Sequence, residues 1–296
     1  MNALKAYEAE VLDPSDIAAA YAFCANLVAS HYENFPVASR LLRPSLRKHV
    51  AALYAFARIA DDFADEPEHE GHRRERLLDW RKQLNEAACG PVAAAPRHPV
   101  LVAIGQTLRE LDLPIGPFDD LLSAFLQDVE KKRYATFNEV LDYCRRSANP
   151  VGRVVLMIHG YRDPELLRQS DAVCTALQLA NFWQDISVDL KQDRIYIPEE
   201  DFKSSGYSEA DLRMGVVNEK FLHLMKFQIS RTRALFEEGR GLAGRLSWPL
   251  SWEIRLSWYG GREILRKIRK MGFDTLSARP VLGKGDWVVL LVRSLL

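Results

Sequence analysis

Apolar residues return every three or four positions along nearly the whole chain, a period that admits helices and almost nothing else. Leu101, Ile104, Leu108 and Leu111 share one face, and Phe118, Leu121, Leu122, Phe125, Leu126 and Val129 share another. The pattern predicts helices over roughly 15–30, 45–65, 74–88, 98–112, 117–131, 136–148, 151–160, 164–189, 217–240, 249–271 and 286–295. Start and stop signals agree with it. Asp13-Pro14-Ser15 precedes the first helix, Pro67 follows the second, Gly90-Pro91 follows the third, and the segment from Asp112 to Pro117 separates two more. Asn149-Pro150 interrupts what would otherwise be one long helix, because proline lacks a donor and clashes with the preceding turn. Arg194-Ile195-Tyr196-Ile197-Pro198 is the only extended candidate. The expectation is an all-α chain forming one domain over residues 1–296, with its core at about 15–271 and a basic and apolar tail at 272–296.

Charge narrows the partners. Forty acids balance forty bases among 296 residues, so the molecule as a whole has no field that would recruit nucleic acid. The C-terminal end is less even. From Glu253 onward, Arg255, Arg262, Arg266, Lys267, Arg269, Lys270, Arg279, Lys284 and Arg293 outnumber Glu253, Glu263, Asp274 and Asp286. A solvated basic face is one reading of that run; attraction to an anionic membrane surface, as a peripheral contact, is the other. Cys24, Cys89, Cys144 and Cys174 lie far apart with no CxxC, which points to reduced thiols and a cytoplasmic protein. The first residues have no apolar run of the signal-peptide kind, and the apolar stretch Trp287–Val292 is too short to span a bilayer.

Two helices carry unusual carboxylates. Tyr54, Arg58, Asp61 and Asp65 follow one another at steps of four, three and four, so they share a stripe. Gln178, Asn181, Asp185 and Asp189 step by three, four and four, among Leu177, Leu179, Ala180, Phe182 and Trp183. A polar stripe in so apolar a helix is costly to bury without partners. Both pairs also end their helices, where negative charge meets the unfavourable end of the macrodipole at about 0.3–1 kcal/mol per charge. The two members of each pair repel at i, i+4. Bound divalent cations remove both penalties, and magnesium suits because it shares carboxylates with substrate phosphates.

A solvated acidic helix end is the plain alternative for Asp61, Asp62, Asp65, Glu66, Glu68 and Glu70, but the matching second pair weighs against it. Magnesium so held would neutralise a diphosphate and make it a leaving group. Arg58, Arg194 and Tyr196 would complete the anion clamp. Tyr32, Phe35, Tyr54, Phe56, Tyr143, Phe182 and Trp183 offer aromatic faces to the carbocation left behind, and a desolvated contact of that kind contributes about 2 kcal/mol. Tyr54 and Tyr143 are the two placed by position, while most of the others suit a core as well. HExxH, Walker and GxSxG motifs are absent from the sequence, and no GxGxxG follows a strand pattern.

These residues resemble the squalene and phytoene synthases, head-to-head prenyl synthases of the isoprenoid-synthase helical fold. The resemblance runs from about Ala18 to Arg269. It rests on the segments Tyr54–Asp65 and Gln178–Asp189, on Arg194–Pro198 after them, and on Tyr143-Cys144 ahead of Val151-Gly152. It implies a helical bundle around a central cavity, with Asp61, Asp65, Asp185 and Asp189 on magnesium and Tyr54 and Tyr143 as catalytic candidates. Arg58, Gln178, Asn181, Arg194 and Tyr196 would hold diphosphate, with His31, Phe35 and Asn149 also at the substrate.

Departures from the condensing members bear on the reaction. Where those members usually read His-Ser-Lys-Ser-Phe, this chain has His31-Tyr32-Glu33-Asn34-Phe35. Gln184 stands where they usually carry arginine, and Ser147-Ala148-Asn149-Pro150-Val151-Gly152 replaces Val-Ala-Gly-x-Val-Gly. Two cations are thus missing from a site that must hold two diphosphates in the condensing enzymes. The altered segments resemble a bacterial branch that ionises presqualene diphosphate and lets water capture the rearranged cation, giving hydroxysqualene. That branch implies no NADPH in this step, a presqualene diphosphate synthase before it and a flavoprotein hydroxysqualene reductase after it. Tyr143, Asn149 and His31 are the candidates to deliver the water. The rival readings are head-to-head condensation to presqualene diphosphate, squalene or phytoene, and a non-catalytic assembly factor of the same fold.

Overall fold

Side chains and prolines set the helix starts. The computed structural model describes residues 16–30, 42–89 and 98–295. Helices α1 (Ile17–Ser30), α2 (Pro44–Asp65), α3 (Arg73–Cys89), α4 (Pro99–Glu110) and α5 (Gly116–Glu130) come first. They are followed by α6 (Phe137–Ser147), α7 (Asn149–Ile158), α8 (Pro164–Gln184), α9 (Ile186–Asp189), α10 (Glu199–Ser205) and α11 (Glu209–Arg213). The last are α12 (Glu219–Glu238), α13 (Leu250–Lys270) and α14 (Lys284–Leu295). Proline occupies the first turn of α2, α4 and α8, where its missing N–H costs nothing. Thr136, Asp163 and Asn218 cap α6, α8 and α12 through their side chains, and Ser208 with Asp211 forms a capping box on α11. No strand occurs among the described residues, in keeping with the all-α expectation.

The chain divides into two compact units, one of residues 1–130 with 153–162 and the other of 131–152 with 163–296. In the first, Trp80 of α3 is fully buried. Phe56 stacks on it at 6.0 Å and 20°, and Phe63 meets it edge-on at 5.8 Å. Offset and edge-on ring pairs of this kind add about 0.5–1.5 kcal/mol beyond the area they bury. A buried polar knot ties three helices of this unit together. Tyr21 of α1 lies 3.0 Å from Thr107 of α4, and His49 of α2 lies 2.9 Å from the same hydroxyl. A buried polar group needs such partners.

In the second unit α8 is the central element. Trp183 donates from Nε1 to the buried Thr232 of α12 at 2.8 Å. Two glycines let helices approach α8 closely. A Cβ at Gly152 would stand 2.4 Å from Ser170 Oγ and 2.5 Å from Cys174 Sγ, and one at Gly261 would stand 2.7 Å from Leu177. The break foreseen at Asn149-Pro150 is present, with Ala148 between α6 and α7.

Three expectations change. The helix over 164–189 is broken at Asp185, which has φ −105° and ψ 14°, so Asp189 ends a separate short turn rather than continuing the stripe. Arg194–Pro198 forms no strand; Ile195 N–H donates to Lys132 O at 3.0 Å without a ladder following. Two short helices, α10 and α11, lie where none was expected, and both are set by acidic first turns and local caps rather than by an apolar period.

On α13, Glu253 Oε1 is buried without a hydrogen-bond partner, and burial pushes the carboxyl from 4.5 up to about 8. A folded pKa above the unfolded one means that the folded state holds the extra proton. The associated stability is fully present below about 4.5 and is lost as the pH rises through about 8. Glu253→Gln is therefore expected to flatten the decline in urea-unfolding stability across that window. Equal slopes for the two proteins would contradict it.

Candidate active site

The first carboxylate pair ends α2, and what holds it is arginine. Arg58 reaches Asp62 Oδ1 at 2.6 Å, Asp61 Oδ2 at 3.5 Å and Glu66 Oε1 at 3.8 Å. Asp62 is buried, whereas the Asp61 side chain is 44% exposed. Burial pushes Asp62 up to about 6, against the pull of the Arg58 guanidinium in the other direction. Asp62 is thus the inner anchor of Arg58, and Asp61 and Asp65 stand half-buried on the stripe beside it. Tyr54 lies one turn before Arg58, half-buried, with its hydroxyl pushed above the usual range by burial. Sequence reasoning placed Asp62 only within an acidic run; its position one residue off the stripe was the available signal.

The second pair brackets the break after α8. Asn181 donates to Asp185 Oδ2 at 2.7 Å. Arg279, from the segment between α13 and α14, clasps the same carboxylate through Nε to Oδ1 and through Nη2 to Oδ2 at 3.1 Å. A planar fork on a carboxylate is a strong, directional form of ion pair. Gln184 donates to Pro280 O at 2.7 Å and so fixes the residue next to that arginine. Arg279 was not among the expected site residues; it is separated from Asp185 by 94 positions, and no local period connects them.

Beyond Asp185, the amide of Asp189 returns to Asp185 O at 2.9 Å, and the chain turns at Asp193 in the left-handed region, φ 57°. Arg133 and Arg213 hold the Asp193 carboxylate and bring it down to about 2. The turn returns Arg194 to Asp189, N–H to O at 2.9 Å. Arg194 is buried and donates to Gln192 Oε1 at 3.0 Å. Asp189, Arg194, Tyr196 and Phe182 line one small crevice. The Tyr196 ring stacks on Phe182 at 3.7 Å and 6°, with Tyr143 at 5.9 Å and Tyr134 at 5.7 Å.

Within their own units, then, the structure gathers Tyr54, Arg58, Asp61 and Asp65 in one cluster and Asn181, Asp185, Asp189, Arg194, Tyr196 and Tyr143 in another. Gln178 is half-buried one turn before Asn181. Asn149 is buried and accepts from Thr175 Oγ1 at 2.9 Å, which anchors the start of α7 on α8. His31 and Phe35 lie outside the described residues. Among the described residues, no three His, Cys, Asp or Glu side chains converge into a closed metal cage. The donor set fits a more open site, in which paired carboxylate oxygens leave the rest of the shell to water and phosphate. Magnesium is commonly held that way.

Comparison with known proteins bears on the family and the fold. A model of the squalene/phytoene synthase family matches residues 28–286. The chain is 34% identical to a hydroxysqualene synthase of Rhodopseudomonas palustris over 259 residues, covering 87% of this chain and 86% of that one. It is 31% identical to a phytoene synthase of Arthrospira platensis over 283 residues, covering 90% and 89%. The crystal structure of squalene synthase HpnC from Alicyclobacillus acidocaldarius superposes with a TM-score of 0.82 at 37% identity, covering 92% of this chain and 99% of that one.

Arg279 occupies Asp185 where a metal cation would compete for the same oxygens. Arg279→Ala is expected to tighten binding of magnesium alone, measured by calorimetry, by about fivefold, since a partly exposed ion pair contributes about 1 kcal/mol. Unchanged or weaker binding would show that the pair does not compete with the metal.

Proposed function

The chain belongs to the squalene/phytoene synthase family, and we propose that within it this protein is a hydroxysqualene synthase acting on presqualene diphosphate. Members of the family are prenyl-diphosphate-processing synthases, so the chain is read as an enzyme. The observation that carries the finer reading is Gln184. It is neutral, and its amide is spent on Pro280 O, so the end of α8 has no cation of its own and relies on Arg279. Such an arm is suited to one diphosphate rather than two. The identity to a relative named hydroxysqualene synthase supports the same reading.

Asp61 and Asp65, and Asp185 and Asp189, are the residues that would hold magnesium. When bound, magnesium supplies the Lewis-acid charge that makes diphosphate a good leaving group. Arg58, fixed by Asp62, and Arg194, buried beside Asp189, would take phosphate oxygens, with Gln178 and Asn181 as neutral donors. The carbon–oxygen bond to diphosphate breaks and its electron pair leaves with the diphosphate. The cation rearranges, the oxygen of water bonds to it, and a proton is lost, which yields hydroxysqualene without a reductant. Tyr143, tilted against the stacked pair of Tyr196 and Phe182, would with them offer aromatic faces to the positive charge. Asn149 and Tyr143 are the described candidates to orient the water, and Asn149 keeps its amide nitrogen without a hydrogen bond among the described residues. In this role the protein works in the cytoplasm between a presqualene diphosphate synthase and a hydroxysqualene reductase, with its water-insoluble product passing to a membrane.

A condensing activity is the second reading, favoured by the identity to a phytoene synthase across most of both chains. Product analysis separates the two. Purified protein with magnesium is offered presqualene diphosphate or farnesyl diphosphate, each with and without NADPH. Hydroxysqualene from the first substrate alone, independent of NADPH, is the expected result. Presqualene diphosphate made from farnesyl diphosphate would overturn it, and release of no diphosphate from either substrate would point to an assembly factor.

A further inference from the structure

The basic run near the C-terminus has a definite shape. Arg255, Arg262, Arg266 and Arg269 follow one another on α13 at steps of seven, four and three, so they share a face. Arg233, Glu237 and Arg240 form a second stripe on α12. With Arg293 of α14, the two stripes line a groove of about 710 Å3 in which seven arginines meet two carboxylates, Glu237 and Glu263. Those carboxylates are already matched. Arg262 pairs with Glu237 and lies 4.3 Å from the Trp258 ring, while Arg266 pairs with Glu263. Arg233, Arg269 and Arg293 make no ion pair among the described residues.

Beside the groove lies an unusual helix face. Each residue of a helix turns about 100° from the last, and on α14 the buried side is marked by Leu290 and Ser294. On the opposite side Val288, Val292 and Leu295 are 62%, 55% and 69% exposed, with Val289 at one edge, and Trp287, nearer the buried side, is still 44% exposed. Five large apolar side chains on one short helix are more than scattered surface residues explain. Arg293 lies at the edge of this arc and also lines the groove, so apolar and basic surfaces adjoin.

We infer that this surface docks on an anionic phospholipid bilayer, with α14 lying in the interface and the arginine groove taking lipid phosphates. Charge complementarity selects that occupant. A second copy pairing through the same face would bring two arginine-rich grooves together, which like-charge repulsion opposes. The geometry suits lying flat, because twelve residues of helix extend only about 18 Å, and no described helix is long and apolar enough to cross a membrane. An amphipathic helix with basic flanks binds by burying its apolar face at the headgroup boundary and by attraction to anionic lipid. The inference deepens the proposed function, in that a prenyl substrate and a hydrocarbon product partition into lipid. The docking itself stands on the surface alone.

Cosedimentation without substrate tests it, so failure here is separate from failure of the product assay. The full-length protein is mixed with phosphatidylcholine vesicles with or without one-third phosphatidylglycerol. Binding to the anionic vesicles, weakened by salt and accompanied by a blue shift in tryptophan emission that Trp287→Ser removes, is expected. The pairs Val288→Asp with Val292→Asp, and Arg269→Glu with Arg293→Glu, should each weaken binding by more than about tenfold, with helical circular dichroism retained. If the valine pair folds poorly, Trp287→Ser and the salt series still decide. Equal binding to neutral vesicles, or none to anionic ones, would overturn the inference. So would loss through the arginine pair alone with protection by inorganic diphosphate, which would mark a soluble-anion site. A dimer that Val288→Asp dissociates, with no vesicle binding, would mean a second copy covers the face.

Discussion

At the end of α8 a carboxylate stands where the last backbone carbonyls already carry partial negative charge, and the surrounding site is arranged to answer that charge. Asp185 accepts from Asn181 one turn back and from the Arg279 fork far along the sequence. The break at Asp185 then sets the turn that returns Arg194 to Asp189 and lays Tyr196 on Phe182. At the end of α2 the same difficulty is met differently. There Arg58 comes from the same helix, and the neighbouring Asp62 is buried to hold it. In both places an arginine balances carboxylate charge at a helix end.

Position 184 connects this electrostatic frame to the chemistry. An arginine there would add a cation to the second arm. The glutamine instead spends its amide on Pro280 O and thereby settles the segment that carries Arg279. The guanidinium at Asp185 is therefore supplied from the C-terminal segment, which also leads into α14. One segment thus serves both the carboxylate arm and the surface inferred to meet lipid.

Much of this was legible in the sequence for a physical reason: helices and their ends are local. The apolar period located most of the helices, proline and glycine marked their limits, and the i, i+4 spacing of Asp61 with Asp65 put both on one stripe. What escaped was non-local or aperiodic. The helix break at Asp185 falls inside an unbroken apolar pattern, because the residues after it re-enter helical geometry within one turn. Arg279 gives no sequence sign of its partner. Asp62 looked like one more acid in a solvated run, although it is the most buried of the group. The short helices α10 and α11 are held by caps and a capping box, signals too brief to outweigh the lack of an apolar face. The basic tail was read as either a solvated face or a membrane contact, and the meeting of its α13 arginines with a second stripe, Arg233 and Arg240 on and just after α12, required the packing of α12 on α13.

The central claim is that both carboxylate pairs serve magnesium-dependent departure of diphosphate. Its most direct measurement is the rate of diphosphate release from presqualene diphosphate as magnesium is titrated, for the unaltered protein, Asp61→Asn and Asp185→Asn. The account predicts release that saturates with magnesium and falls more than about a hundredfold in each variant, since Lewis-acid stabilisation is worth several kcal/mol, with circular dichroism unchanged. Release at a near-normal rate in either variant, or release indifferent to magnesium, would contradict it.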